Sequence, residues 1–193
     1  MKATALEPFL PAALTPAGTT ADERFRTPTT VETDGGSSDE PEFAVYTDDR
    51  YGYRLAYPAD WSVESDLSGV VLESRRSGAG AAVFVETTRF DPAACAATFL
   101  TELADDDHVH SLELRSHRER KPGDDHQGVV VDCTYVGDSG ERWWLSYLFA
   151  RDDRTGYTLG VDWNDTTGFE ATAERIVASF AFEPLDRSRN PTR

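Results

Sequence analysis

Hydrophobic and polar residues along the chain alternate with two different periods, and the change of period divides it into strands and helices. Tyr51, Tyr53, Leu55 and Tyr57 recur at every second position, so one face of an extended segment carries four large side chains. Pro58 has no N–H to give to a ladder and ends that strand, and Trp61-Ser62-Val63 resumes an extended run after the turn. Phe43–Thr47 reads as a short strand before it, turning at Asp48-Asp49-Arg50. Gly69–Ser74 follows, with Val70 and Leu72 opposite Val71. A Ser77-Gly78-Ala79-Gly80 turn leads into Ala81–Arg89, where Val83, Val85 and Thr87 oppose Phe84 and Glu86.

The period then becomes helical. Asp91 suits an N-cap and Pro92 a first turn, and Ala96, Phe99, Leu100 and Leu103 form one apolar stripe. Asp105, Asp106 and Asp107 are expected beyond the helix end, in solvent, because acids there oppose the helix dipole. Alternation returns in His110–Arg118, with Leu112 and Leu114 expected to face inward, and continues through Gln127–Val136, Arg142–Arg151 and Gly156–Trp163. Arg142–Arg151 is apolar on both faces, so it is expected mid-sheet with cover on each side. A second helix is predicted from Thr167, with Thr167 and Glu170 as a capping box and Phe169, Ala173, Ile176, Val177 and Phe180 as its buried stripe.

The sum is an α+β domain over residues 43–184: a central antiparallel β-sheet of about seven strands flanked by two helices. Residues 1–42, rich in Pro, Thr, Gly and Ser, and residues 185–193 read as disordered tails.

Charge changes the picture of the surface. The 193 residues hold 35 acids against 19 Lys and Arg, a net charge of −16, and the only lysines are Lys2 and Lys121. The acids are spread through the domain, which reads as adaptation to molar salt. Such a surface repels a phosphate backbone, so nucleic acid is rejected as a partner. Cys95 and Cys133 make no disulfide framework and read as small hydrophobes. No signal peptide or membrane span is recognisable, so the chain as written is expected to be cytoplasmic; a mis-assigned start would leave an extracytoplasmic or membrane-associated place open.

The stretch Tyr51-Gly52-Tyr53-Arg54-Leu55-Ala56-Tyr57-Pro58-Ala59-Asp60-Trp61 and the ending Ile176-Val177-Ala178-Ser179-Phe180 resemble the opening and closing motifs of the PsbP-like superfamily. The superfamily is named for an extrinsic subunit of the photosynthetic oxygen-evolving complex. The resemblance covers residues 43–184 and implies an α/β/α sandwich. It also implies a mostly non-enzymatic repertoire of extrinsic subunits, assembly factors and uncharacterised secreted or lipid-anchored proteins. Photosystem binding is not carried over to so acidic a chain without a recognisable lumenal targeting segment.

Residues with candidate chemistry are few. The Gly78-Ala79-Gly80 turn lacks the Lys of a phosphate loop and precedes a strand. No GxSxG or HExxH occurs. Asn164-Asp165-Thr166 matches a glycosylation sequon, which matters only on export. No metal site is assigned; the nearest approach to one is His108 and His110 at strand-like spacing, with Asp106 beside them. The expectation is a non-catalytic accessory or binding module that engages a protein partner and needs no cofactor. One alternative is a small-ligand carrier with an aromatic cleft built from Trp61, Trp143 and Trp163. The other is a metal-dependent hydrolase using His108, His110 and a nearby Asp and taking a divalent cation.

Overall fold

The computed structural model describes residues 41–86, 91–123, 126–152, 155–164 and 168–183. In chain order the elements are β1 (Phe43–Asp48), β2 (Tyr53–Pro58), β3 (Ser62–Ser65), β4 (Gly69–Glu73), β5 (Gly80–Glu86), α1 (Pro92–Asp105), β6 (His110–Arg120), β7 (Gln127–Val136), β8 (Arg142–Arg151), β9 (Gly156–Asn164), α2 (Phe169–Ser179) and β10 (Ala181–Phe182). The seven-stranded antiparallel sheet runs β3-β4-β5-β9-β8-β7-β6, and a smaller sheet runs β1-β2-β10.

Side chains from alternate faces of the large sheet build two cores. Val129, Val131, Cys133 and Tyr135 of β7 and Leu145, Tyr147 and Phe149 of β8 meet Ala96, Phe99 and Leu103 of α1. On the opposite face, Leu148, Leu159 and Val161 pack with Ala173, Ile176 and Val177 of α2 and with Tyr53, Leu55 and Tyr57 of β2. The large sheet is therefore covered by α1 on one side and by α2 with the small sheet on the other. Each large apolar side chain taken fully out of water in such a core contributes roughly 1.5–3 kcal/mol.

The two resembling motifs meet in space. Trp61 stacks on Phe169 at the start of α2, with ring centroids 5.9 Å apart. Ser179 Oγ, at the end of α2, accepts a 2.7 Å hydrogen bond from the Ala56 N–H of β2. Strand β10 reaches only as far as Arg54 and Tyr53 along β2. The serine hydroxyl thus continues the ladder where that two-residue strand stops, satisfying a donor that would otherwise need water.

Several expected boundaries shift. Tyr51 lies in the turn before β2, where its backbone N–H and that of Arg50 bond the Asp48 carboxylate. Asp91 caps α1 as expected, bonding the Ala93 and Ala94 N–H groups. Asp105 closes α1 inside the helix, and Asp106 is its half-buried C-cap rather than a free solvent residue. The N-cap of α2 is Gly168, at φ 91°, a conformation glycine adopts without strain, and no side chain caps the helix. Thr167, residues 1–40, residues 184–193 and the end of the Ala81–Arg89 segment lie outside the described residues.

The largest departure is in β6. Leu112 packs on the α1 core, but Leu114 is 55% exposed. Register shifts interrupt the β6–β7 pairing between His110 and Glu113 and again between Leu114 and Ser116, and Ser111 sits at φ 52°. Bulges break the simple alternation that placed both leucines inward. Leu114 stands opposite Cys133 on an edge strand, beyond the part of the sheet that α1 covers.

Candidate functional site

Strand β6 begins at His110, one of the two candidate histidines. It ends the large sheet, and among the described residues no strand pairs with its outer side. Its eleven residues are exposed or half-buried throughout. From His110 to Lys121 the chain carries Arg115, Arg118, Arg120, Lys121, His110 and His117 against only Glu113 and Glu119. The segment is therefore richer in basic than in acidic residues, in a chain of net charge −16.

The segment is anchored from below. Arg115 lies over the Trp144 ring, 5.5 Å from its centroid, a cation–π contact on the α2 side of the sheet. Trp144 in turn stacks on Trp163, with centroids 6.1 Å apart. Arg118 pairs with Asp132, whose other oxygen accepts a 2.5 Å hydrogen bond from Ser146 Oγ, while Ser116 Oγ bonds the same carboxylate. Every oxygen of Asp132 is thus occupied, which fits a structural anchor better than a catalytic acid. Arg120 reaches past the sheet to the carbonyls of Val177, Ala178 and Phe180 at the end of α2.

At the head of the segment the structure joins His108 and His110 through a residue the sequence reading did not select. Asp138, in the β7–β8 turn, contacts His108 Nδ1 at 2.6 Å and His110 Nε2 at 3.1 Å. All three are well exposed, with side chains 54–75% accessible. The hydrogen bond and charge of Asp138 raise the His108 pKa, and the two imidazoles lower that of Asp138. Asp106 does not join them as a second carboxylate; its Oδ1 accepts from the His108 backbone N–H at 2.8 Å. Among the described residues no three His, Cys, Asp or Glu side chains are placed to hold a metal ion. The arrangement as it stands is a carboxylate bridging two imidazoles.

The three tryptophans expected to line one cleft do not share one. Trp61 and Trp163 are buried in the α2-side core, whereas Trp143 packs on the α1 side and stacks on Tyr135. The one-residue offset between Trp143 and Trp144 sends neighbours to opposite faces of β8. Asp138 was legible only as part of a hairpin turn and Trp144 only as one face of its strand, because the register that brings Asp138 to the histidines and Trp144 to Arg115 is not written in any local pattern.

The layer order, a large antiparallel sheet between α1 and a layer of α2 with a small sheet, defines a PsbP-like α/β/α fold. The solution structure of the cyanobacterial PsbP protein (CyanoP) from Synechocystis matches with a TM-score of 0.57 at 12% identity, over 78% of this chain and 98% of that one. The crystal structure of LpqN, involved in cell envelope biogenesis of Mycobacterium tuberculosis, matches more loosely, with a TM-score of 0.47 at 14% identity over 82% of this chain and 90% of that one. At such identities the likeness is one of fold. No family model matches the sequence, and no curated protein matches it. No helix among the described residues is long and apolar enough to cross a membrane.

Proposed function

We propose that the protein is a non-catalytic binding module of PsbP-like fold that docks a protein partner along the outer side of β6. The observation that carries this reading is the free edge itself, where Leu114 stands 55% exposed in a segment that holds Arg115, Arg118, Arg120 and Lys121 against Glu113 and Glu119. The partner that fits is a polypeptide with an acidic segment and one apolar side chain to cover Leu114. Charge complementarity would orient it, and burial of the leucine would hold it. The bulges favour contact through side chains over indiscriminate strand addition, since they interrupt the regular ladder a foreign strand would extend. The engaged state of Asp132 and the bridged histidines support a recognition surface over a hydrolytic centre.

The test is affinity purification of a tagged copy from its own host in molar KCl, beside a Leu114→Asp/Arg115→Glu variant, with cross-links mapped by mass spectrometry. The expected result is a stoichiometric protein cross-linked to β6 through an acidic segment and lost in a variant that melts like wild type. A folded wild-type protein that recovers no such partner, or a variant that retains it, overturns the reading.

A further inference from the structure

On the α1 side of the large sheet, one row of residues crosses from β4 to β8 as Glu73, Gly80, Asp162 and Leu145. The next row reads Val71, Ala82, Gly160 and Tyr147. This face is closed over. The Tyr147 ring lies against Gly160, so near that a Cβ there would come within 2.7 Å of Tyr147 Cζ. Ala82, Leu145 and Tyr147 are all buried.

Asp162 is the anomaly in this packing. It is 1% exposed, and neither of its carboxyl oxygens has a hydrogen-bond partner among the described residues. A neutral carboxyl group in such a place costs the fold something, and an ionised one without a counter-charge costs far more. The groups that face it bring no positive charge. Strand β4 contributes the Glu73 carboxylate, β8 the Tyr147 phenol and β7 the Tyr135 phenol, while β5 presents only Gly80 beside it. The charges that act on Tyr135 from the end of α1 and from the β7–β8 turn, Asp106 and Glu141, are negative too. Among the described residues no basic side chain acts on Asp162. Burial first, and then the charge of Glu73, hold its pKa well above the ordinary carboxylate range, with its own backbone N–H as the one opposing influence. Asparagine has the same shape and never ionises, so what the carboxyl group adds at this position is dependence on a proton.

We propose that Asp162 is a proton-dependent clasp: the α1 side of the sheet closes around it as the neutral acid, and loss of that one proton as the medium turns alkaline loosens the packing of Tyr135 and Tyr147 over β9. Folding then takes up a proton. The sign follows from linkage. A carboxyl group whose folded pKa lies above its unfolded value brings no ionisation cost below the ordinary carboxylate range. Its cost grows as pH rises from that range to the folded value, and is constant beyond it. The clasp lies on other strands than the β6 docking edge, so either can fail without the other.

The test uses the full chain in constant KCl of about 2 M, which holds screening fixed. Urea unfolding of wild type and Asp162→Asn is followed from about pH 5 to pH 9, and the infrared spectrum of folded wild type carrying isotope-labelled aspartate is recorded at neutral pH. The readout from urea is the slope with pH rather than the absolute stability, because asparagine brings N–H donors of its own. The unfolding constant of wild type relative to Asp162→Asn is expected to grow about tenfold per pH unit while Asp162 keeps its proton in the fold. Near-ultraviolet circular dichroism, which reads the tyrosine packing, should be lost at lower pH in wild type than in the variant. The infrared spectrum should show the carbonyl band of a protonated aspartate at neutral pH. A ratio of unfolding constants that does not change with pH overturns the proposal. So does a neutral-pH spectrum in which every aspartate is ionised, and that measurement decides alone where Asp162→Asn does not fold.

Discussion

A single carboxylate, Asp138, decides the electrostatics at the head of β6. Its hydrogen bond to His108 favours the imidazolium, so the folded pKa of His108 lies above the ordinary value, while that of Asp138 lies below. The signs follow. A raised His108 contributes stability that is fully present below the ordinary imidazole pKa and is lost as pH rises through the folded value. A lowered Asp138 contributes stability present above the ordinary carboxylate range and lost as pH falls through its depressed value. The pair therefore supports the fold between those two limits. Because both side chains are mostly exposed, the expected readout is titration rather than a large change in melting. In an NMR pH titration, His108 should lose its proton above the ordinary imidazole range, and Asp138→Asn should bring it back down. A His108 midpoint unmoved by Asp138→Asn would show that the contact does not persist in solution. The histidine pair was readable from its spacing, but Asp138 is 30 residues from His108 and is brought there only by the β7–β8 turn. Asp162 was hidden differently. Alternation with Leu159, Val161 and Trp163 puts it on the opposite face of β9, but nothing local says that this face is buried too.

Among elements, α2 depends most on a distant residue. Its last carbonyls lie beyond the regular helical ladder: Ile176 accepts from Ser179 Oγ and Val177 from the Phe180 N–H, and no basic residue lies in its last turn. Arg120, from the end of β6, fills that role by donating to Val177, Ala178 and Phe180. The guanidinium also places positive charge at the negative end of the helix dipole. Arg120→Met keeps much of the side-chain volume but removes these donors, and should destabilise the domain by about 1.5–3 kcal/mol. Arg120→Lys should recover only part, since a single ammonium cannot span three carbonyls as a planar fork does. Urea unfolding of the three proteins measures this; an Arg120→Met curve that overlays wild type would show that water caps α2 equally well. The alternation that revealed β2, β7, β8 and β9 works because each has one or both faces in a core. It fails in β6, where bulges shift the phase and the edge position leaves Leu114 uncovered. It also fails for β10, because two residues, Ala181 and Phe182, are too few for any period to show. The start of α2 was misplaced for a related reason. Thr167 and Glu170 match a capping pattern, but Gly168, at a positive φ that suits it, sets the boundary one residue later.

At the scale of the whole molecule the open question is how a chain with 35 acids and 19 Lys and Arg stays folded. Several of its arginines are engaged elsewhere than on carboxylates. Arg115 lies over Trp144, Arg175 over Phe43 and Arg50 over Tyr51, while Arg120 holds backbone carbonyls. Self-repulsion among the acids must then be limited by solvent ions. At molar salt the screening length is about 3 Å, shorter than most separations between surface charges, and at 0.1 M it is about 10 Å, long enough for repulsion to act across neighbouring strands. The domain is expected to melt at a lower temperature, and to lose circular dichroism at ambient temperature, as KCl falls from about 2 M to 0.1 M. Salt also strengthens hydrophobic burial, and the two effects differ in shape. Screening saturates once the Debye length falls below the charge spacing, so most of the gain should come below about 0.5 M. Preferential exclusion instead keeps raising the melting temperature through the highest concentrations. A steep early rise that levels off would assign the charge to salt-dependent stability. A melting temperature flat across the range would mean that the net charge of −16 costs the fold little and serves the surface, through solubility or the choice of partner, and the basic edge of β6 would then be the place where that choice is made.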